Sequence, residues 1–150
     1  MAPIVELPDP VEAAAVAVRL VLAAALGGIL GYERERVGKA AGLRTHMLVS
    51  LGAALFVLGS FQSGASAGDV TRVVQGITTG IGFVGAGAIL KLTQGGRVQV
   101  TGLTTAATVW LAAAVGTAAG SGRLWLPLLA TALGLVILVP LRRYDERPTA

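Results

Sequence analysis

Read for polarity alone, the chain alternates long apolar runs with short polar breaks. Five runs stand out, at about 12–32, 45–63, 73–92, 101–120 and 122–141. About 20 mainly apolar residues cross roughly 30 Å of hydrocarbon as a helix, so each run predicts a membrane-spanning helix. The breaks are polar or glycine-rich, and the last, GSGR at 120–123, is only a tight hairpin. The expected class is therefore all-α. It is a polytopic membrane protein whose domain at 12–141 carries five spans between an outer tail, 1–11, and a cytoplasmic tail, 142–150.

Composition agrees with this pattern. The 150 residues are 54% hydrophobic and 13% charged, against roughly 25% charged in soluble domains. The net charge is +4, yet the basic residues gather at the ends of apolar runs, which is a membrane pattern and not a nucleic-acid face. With the N-terminus outside, Arg34, Arg36, Lys39, Arg44, Lys91, Arg97, Arg142, Arg143 and Arg147 fall on the cytoplasmic side, against Arg72 and Arg123 outside. The tail carries Glu6, Asp9 and Glu12 with no basic residue, so it lacks the n-region of a cleavable signal peptide. The chain has no cysteine and a single histidine, His46. That excludes thiolate chemistry and a histidine metal cage, and no catalytic constellation appears, so no enzyme activity is expected.

The chain also echoes itself. Residues 27–54 and 87–114 are identical at ten of 28 positions, including GLRTHMLVSLGAA (42–54) against GLTTAATVWLAAA (102–114). This implies a parallel two-helix repeat with the fifth helix outside it. At 100° per residue Thr45, Gly52 and Gly59 share a seam, matched by Thr105, Ala112 and Ala119. Thr101, Thr104, Thr105 and Thr108 form a threonine stripe that either bonds its own helix or lines a polar seam. In the third run Gly76, Gly80 and Gly87 lie on one side and Gly82 and Gly85 opposite, with Gln75, Thr78 and Thr79 beside Gly82. Small faces on both sides predict a central helix packed from either hand.

GYERERVGKAAGLRTHMLVSLGAALF, DVTRVVQGITTGIGFVGAGAIL and VTGLTTAATVWLAAAVG, in that order between about residues 15 and 120, resemble the signature blocks of the MgtC/SapB membrane proteins. The resemblance implies a bacterial inner-membrane protein tied to adaptation to low magnesium. Many members carry a soluble C-terminal domain of the ACT type. This chain reaches Ala150 soon after its fifth run, so no such domain is expected in it.

The stretch at 31–46 packs six ionised side chains and His46 between two apolar runs. Topology accounts for Arg36 and Lys39, and Glu35 and Lys39 are i,i+4 partners if the helix continues. Glu33, Arg34 and Arg44, with Thr45 capping the next helix, are read as an ion-pair clasp, or as a ligand or partner site at the inner face that includes Glu35. His46 is expected at the membrane interface. At the outer face stand Asp69 and Arg72. Arg19, inside the first span, either snorkels outward, pairs with Asp69, or meets an anion or lipid headgroup. Magnesium usually accepts one or two carboxylates. Glu33 and Asp69 are the candidate ligands, although they face opposite sides and no single acidic cage is visible. The expected role is magnesium-linked homeostasis exerted through contacts between membrane helices. Its partners would be lipid, a second copy in a homodimer, and other inner-membrane proteins. The alternative is a magnesium or small-solute channel built as a homo-oligomer.

Overall fold

The computed structural model describes residues 8–94 and 97–141. The tail at 142–150, with Arg142, Arg143 and Arg147, and most of the tail at 1–11 lie outside the described residues. Five helices form: α1 (Pro10–Arg36), α2 (Leu43–Gln62), α3 (Ala67–Gly87), α4 (Leu103–Gly120) and α5 (Trp125–Leu138). The class is all-α apart from one hairpin. Asp9 starts α1 by accepting from the Val11 amide at 3.1 Å, with Pro10 in the position where a missing N–H costs nothing. Helices α1, α2 and α4 are long and apolar enough to cross a membrane. The apolar α5 has only 14 residues, about 21 Å at 1.5 Å per residue.

Two boundaries differ from expectation. α1 runs to Arg36, so Glu33, Arg34 and Glu35 are helical and not part of a loop. The third helix begins at Ala67 and stops at Gly87, where the apolar run had predicted 73–92. Its early start follows from a capping box of Ser66 and Asp69. Beyond it, β1 (Leu90–Gln94) and β2 (Arg97–Thr101) pair antiparallel, Leu90 opposite Thr101 and Gln94 opposite Arg97. The sequence around Gly95-Gly96 alternates apolar and polar residues, and that dipeptide is a hairpin signal.

The repeat survives as chain direction. Gly42 and Gly102, sixty positions apart in number, are the N-caps of α2 and α4. A Cβ on Gly116 would collide with the Ser50 carbonyl, and one on Gly120 would lie 2.7 Å from the Ala54 carbonyl, so α2 and α4 run parallel. α1 runs against α2, as Gly27 and Gly31 show, their Cβ positions falling 2.5 Å from the His46 carbonyl and 2.8 Å from the Gly42 carbonyl. Packing breaks the symmetry. Gly27 touches α2 backbone, whereas its counterpart Gly87 meets nothing within 4 Å.

The central helix is α2, not the glycine-rich α3. It is held from both sides by Gly27-x-x-x-Gly31 of α1 and Gly116-x-x-x-Gly120 of α4, spacings that let backbones approach closely in lipid. Ser50 lies between them, fully buried, its hydroxyl donating to the Ala23 carbonyl at 2.7 Å. The seam drawn through Thr45, Gly52 and Gly59 is half-buried to exposed, and neither glycine has a neighbour within 4 Å of an added Cβ. Its α4 counterparts Thr105, Ala112 and Ala119 are buried as expected. α5 closes the other side of the bundle, where Leu26, Leu30, Val115 and Leu138 pack together. α3 leans on α4 at the periphery. At Gly85, its one buried residue among those described, an added Cβ would lie 3.6 Å from Ala106, while Gly76, Gly80, Gly82 and Gly87 face open space.

Overpacking a tight contact costs about 1–3 kcal/mol, whereas Gly→Ala in an open helical position gains up to about 1 kcal/mol. Gly116→Ala should therefore lower the unfolding midpoint in detergent micelles, and Gly59→Ala should leave it unchanged or raise it. Equal effects would contradict the clamp on α2.

Candidate functional site at the α1–α2 junction

The last turn of α1 and the first turn of α2 bring most of the charged stretch together. Glu33 and Arg34 are both buried, at 9% and 3% exposure, and form an ion pair through Arg34 Nε and Glu33 Oε2. A buried pair of this kind is weak evidence for net stability, but removing one partner strands the other. Glu35 points to the other side. Its Oε2 accepts from the Leu43 amide at 2.8 Å, placing a carboxylate on the N-terminus of α2, where unsatisfied N–H groups and the helix dipole favour it. The N-cap residue Gly42 gives no side-chain bond, so the cap comes from α1 and not from Thr45. A Cβ on Gly42 would sit 2.5 Å from that carboxylate oxygen. Arg44 is exposed and belongs to no salt bridge among the described residues. Lys39 bonds through its amide to the Arg34 carbonyl, 3.0 Å away, because the helix has already ended, and no Glu35–Lys39 pair forms.

His46 is not interfacial. It is fully buried, with Nδ1 2.9 Å from the Gly42 carbonyl and Nε2 without a partner. A carbonyl only accepts, so in the neutral ring Nδ1 carries the proton and Nε2 presents a lone pair. The sequence held a signal for this. His46, Ser50, Ala53 and Val57 recur at helical spacing and are all buried.

At the other end of the bundle, Asp69 bonds Ser66 Oγ at 2.6 Å and the Ser66 amide at 3.2 Å, and Arg72 at 2.9 Å. The Ser66 bonds first, and the Arg72 guanidinium after them, hold this exposed carboxyl below the usual carboxylate range. Arg19 does not reach Asp69. Its guanidinium donates to the Gly120 carbonyl at 3.4 Å and lies against Gly122, a cation at the C-terminal end of α4 as the helix dipole favours.

The polar seam divides. Thr78 and Thr79 bond the Val74 and Gln75 carbonyls of their own helix at 2.9 Å, and with Gln75 they are exposed. Thr108 is buried and bonds the Thr105 carbonyl at 2.9 Å, Thr105 is buried, and Thr104 is exposed. Glu33 and Asp69 are not brought together. They stand at opposite ends of α2, each already bonded to a guanidinium, and no group of three His, Cys, Asp or Glu gathers among the described residues.

The model of the MgtC family matches residues 20–147. The chain belongs to the MgtC family. It is 42% identical over 137 residues to SrpB of Synechococcus elongatus, covering 85% of this chain and 75% of that protein. It is 41% identical over 128 residues to YhiD of Escherichia coli K12, provisionally named a magnesium transporter, covering 81% of this chain and 58% of YhiD. It is 46% identical over 118 residues to MgtC of Brucella abortus, covering 78% of this chain and 47% of that protein. The chain thus spans about three quarters of SrpB and about half of the YhiD and MgtC chains. No solved structure matches it. Within this MgtC-family chain Glu35 joins α1 to α2 through the Leu43 amide, while Glu33 and Arg34 pair with each other inside α1.

Arg34→Ala should cost about 3–5 kcal/mol by leaving the Glu33 carboxylate buried and unpaired. Replacing both, as Glu33→Leu with Arg34→Met, should cost less than the single change. Chemical unfolding in micelles of the unmodified chain, Glu33→Leu, Arg34→Met and the double variant checks this, and additive losses would contradict a coupled pair. A depressed carboxyl pKa means the Asp69 bonds contribute at neutral pH and are lost as pH falls through the carboxylate range. Acidification should therefore lower the hydrogen-exchange protection factors of the Asp69 and Val70 amides, taken against the intrinsic exchange rate at each pH. Asp69→Asn should flatten that dependence.

Proposed function

We propose that the chain is an inner-membrane module of magnesium-linked homeostasis that acts by binding other membrane helices, beginning with a second copy of itself. Magnesium enters this reading through the family and through the name YhiD carries. The excess of lysine and arginine at the α1–α2 junction and the hairpin sets that end in the cytosol, with the N-terminus outside.

The outward face of α3 carries the proposal. Gln75, Thr79, Gly82 and Ala86 share one side of the helix by phase, all are exposed, and Phe83 beside them is 86% exposed. Gln75 lies nine residues inside its N-cap, about 13 Å along the axis. An amide at that depth gains by hydrogen-bonding across to another helix, and small residues let that helix come close. The same face supports the second reading. In a larger homo-oligomer these arcs would line a polar path for a hydrated cation.

The absence of cysteine makes the test clean. Thr79→Cys should give a disulfide-linked dimer in native membranes, and Leu133→Cys, exposed on α5, should not. Purified protein in liposomes should release no magnesium above empty vesicles. Flux that Gln75→Leu abolishes would favour the channel. Monomeric Thr79→Cys would overturn both readings.

A further inference from the structure

Between α3, α4 and the start of α5 runs a groove of about 400 Å³. Trp110 lines it near the middle of α4, and Ser121 and Arg123 line it at the α4–α5 turn, its mouth. From Trp110 to Ser121 is eleven residues, about 16 Å along α4, which is about half of the roughly 30 Å hydrocarbon thickness.

The walls are mainly hydrocarbon. Of the three hydroxyls that line them, Thr78 donates to the Val74 carbonyl at 2.9 Å and Ser121 to the Thr117 carbonyl at 2.8 Å, which leaves Thr117 as the one side chain with a hydroxyl not spent on its own helix. The mouth is different in kind. Arg123 is exposed, forms no salt bridge among the described residues, and stands two residues before the exposed Trp125. An arginine beside a tryptophan at a helix end marks headgroup depth.

We propose that this groove binds one anionic glycerophospholipid of the leaflet at the α4–α5 turn, its acyl chain along α4 and its phosphate at Arg123. The hydrocarbon walls, the leaflet-length run and the single cation at one end match an amphiphile and not an ion. Apart from Thr78, the α3 residues that line the groove, Val74, Ile77 and Ile81, lie on a different face from the one proposed for self-association, so either can fail alone.

One favourable Lys or Arg contact at a membrane surface amounts to about a fivefold preference. Protein purified from cells and exchanged into nanodiscs of mixed POPG and POPC should, on native mass spectrometry, retain POPG over POPC by about fivefold. Arg123→Gln should bring the ratio near one with the acyl occupancy intact. Ala114→Leu, at an exposed position on the groove floor, should reduce total retained lipid while helicity by circular dichroism stays the same. Equal retention of the two lipids by the unmodified chain would overturn the proposal. So would a disulfide between two copies of Ala114→Cys in membranes, since protein and not lipid would then fill the groove.

Discussion

Backbone touching backbone is the constraint on which this fold rests. In lipid, helices gain nothing from hiding apolar side chains, since acyl tails are equally apolar, and close van der Waals packing has to do the work. Gly27 and Gly31 on one side and Gly116 and Gly120 on the other leave α2 carbonyls within reach of the neighbouring helix axes. That approach explains why the Ser50 hydroxyl can reach the Ala23 carbonyl across the interface. It also explains why alanines 23, 54 and 119 suffice as the core where three helices meet. Larger side chains enter only farther out, at Leu26, Leu30, Val115 and Leu138, where α5 stands off from the tight seam.

The number and order of helices were legible because hydrocarbon thickness imposes a length on each apolar run. Their ends were less so, because a hydropathy pattern does not see capping. Ser66 and Asp69 start α3 six residues early through local hydrogen bonds, and the hairpin after Gly87 takes apolar Ile89 and Leu90 out of a helix to which hydropathy alone assigns them. Glycine number was misleading as a guide to burial. α3 has the most glycines yet lies at the edge, because burial is decided by what a glycine meets. The paired four-residue spacings at Gly27/Gly31 and Gly116/Gly120 were the better signal, and they were readable in the sequence.

The charged stretch was legible in membership and not in roles. Glu33 pairs with its neighbour Arg34 inside α1 and not across to the start of α2, Arg44 stays outside that pair, and Glu35 supplies the cap expected of Thr45. A side chain eight residues from the amide it caps leaves no local motif to read. His46 was misplaced for a related reason. Its neighbours in sequence are polar, and only the helical phase shared with Ser50 and Val57 reveals that it turns inward.

These assignments have a common electrostatic logic. Glu35 meets the N-terminus of α2, Arg19 the C-terminus of α4, and Asp69 the N-terminus of α3. Each neutralises unsatisfied backbone groups where the helix dipole makes that favourable. Charges used in this way are poor cation ligands, since moving them would uncap a helix. The surfaces left without such charges are the outward side of α3 and the groove behind it, where the chain has polar amide, small residues or hydrocarbon with a single arginine. What such faces can accept is set by the fit of apolar and small-residue surface, the same close packing that holds α2.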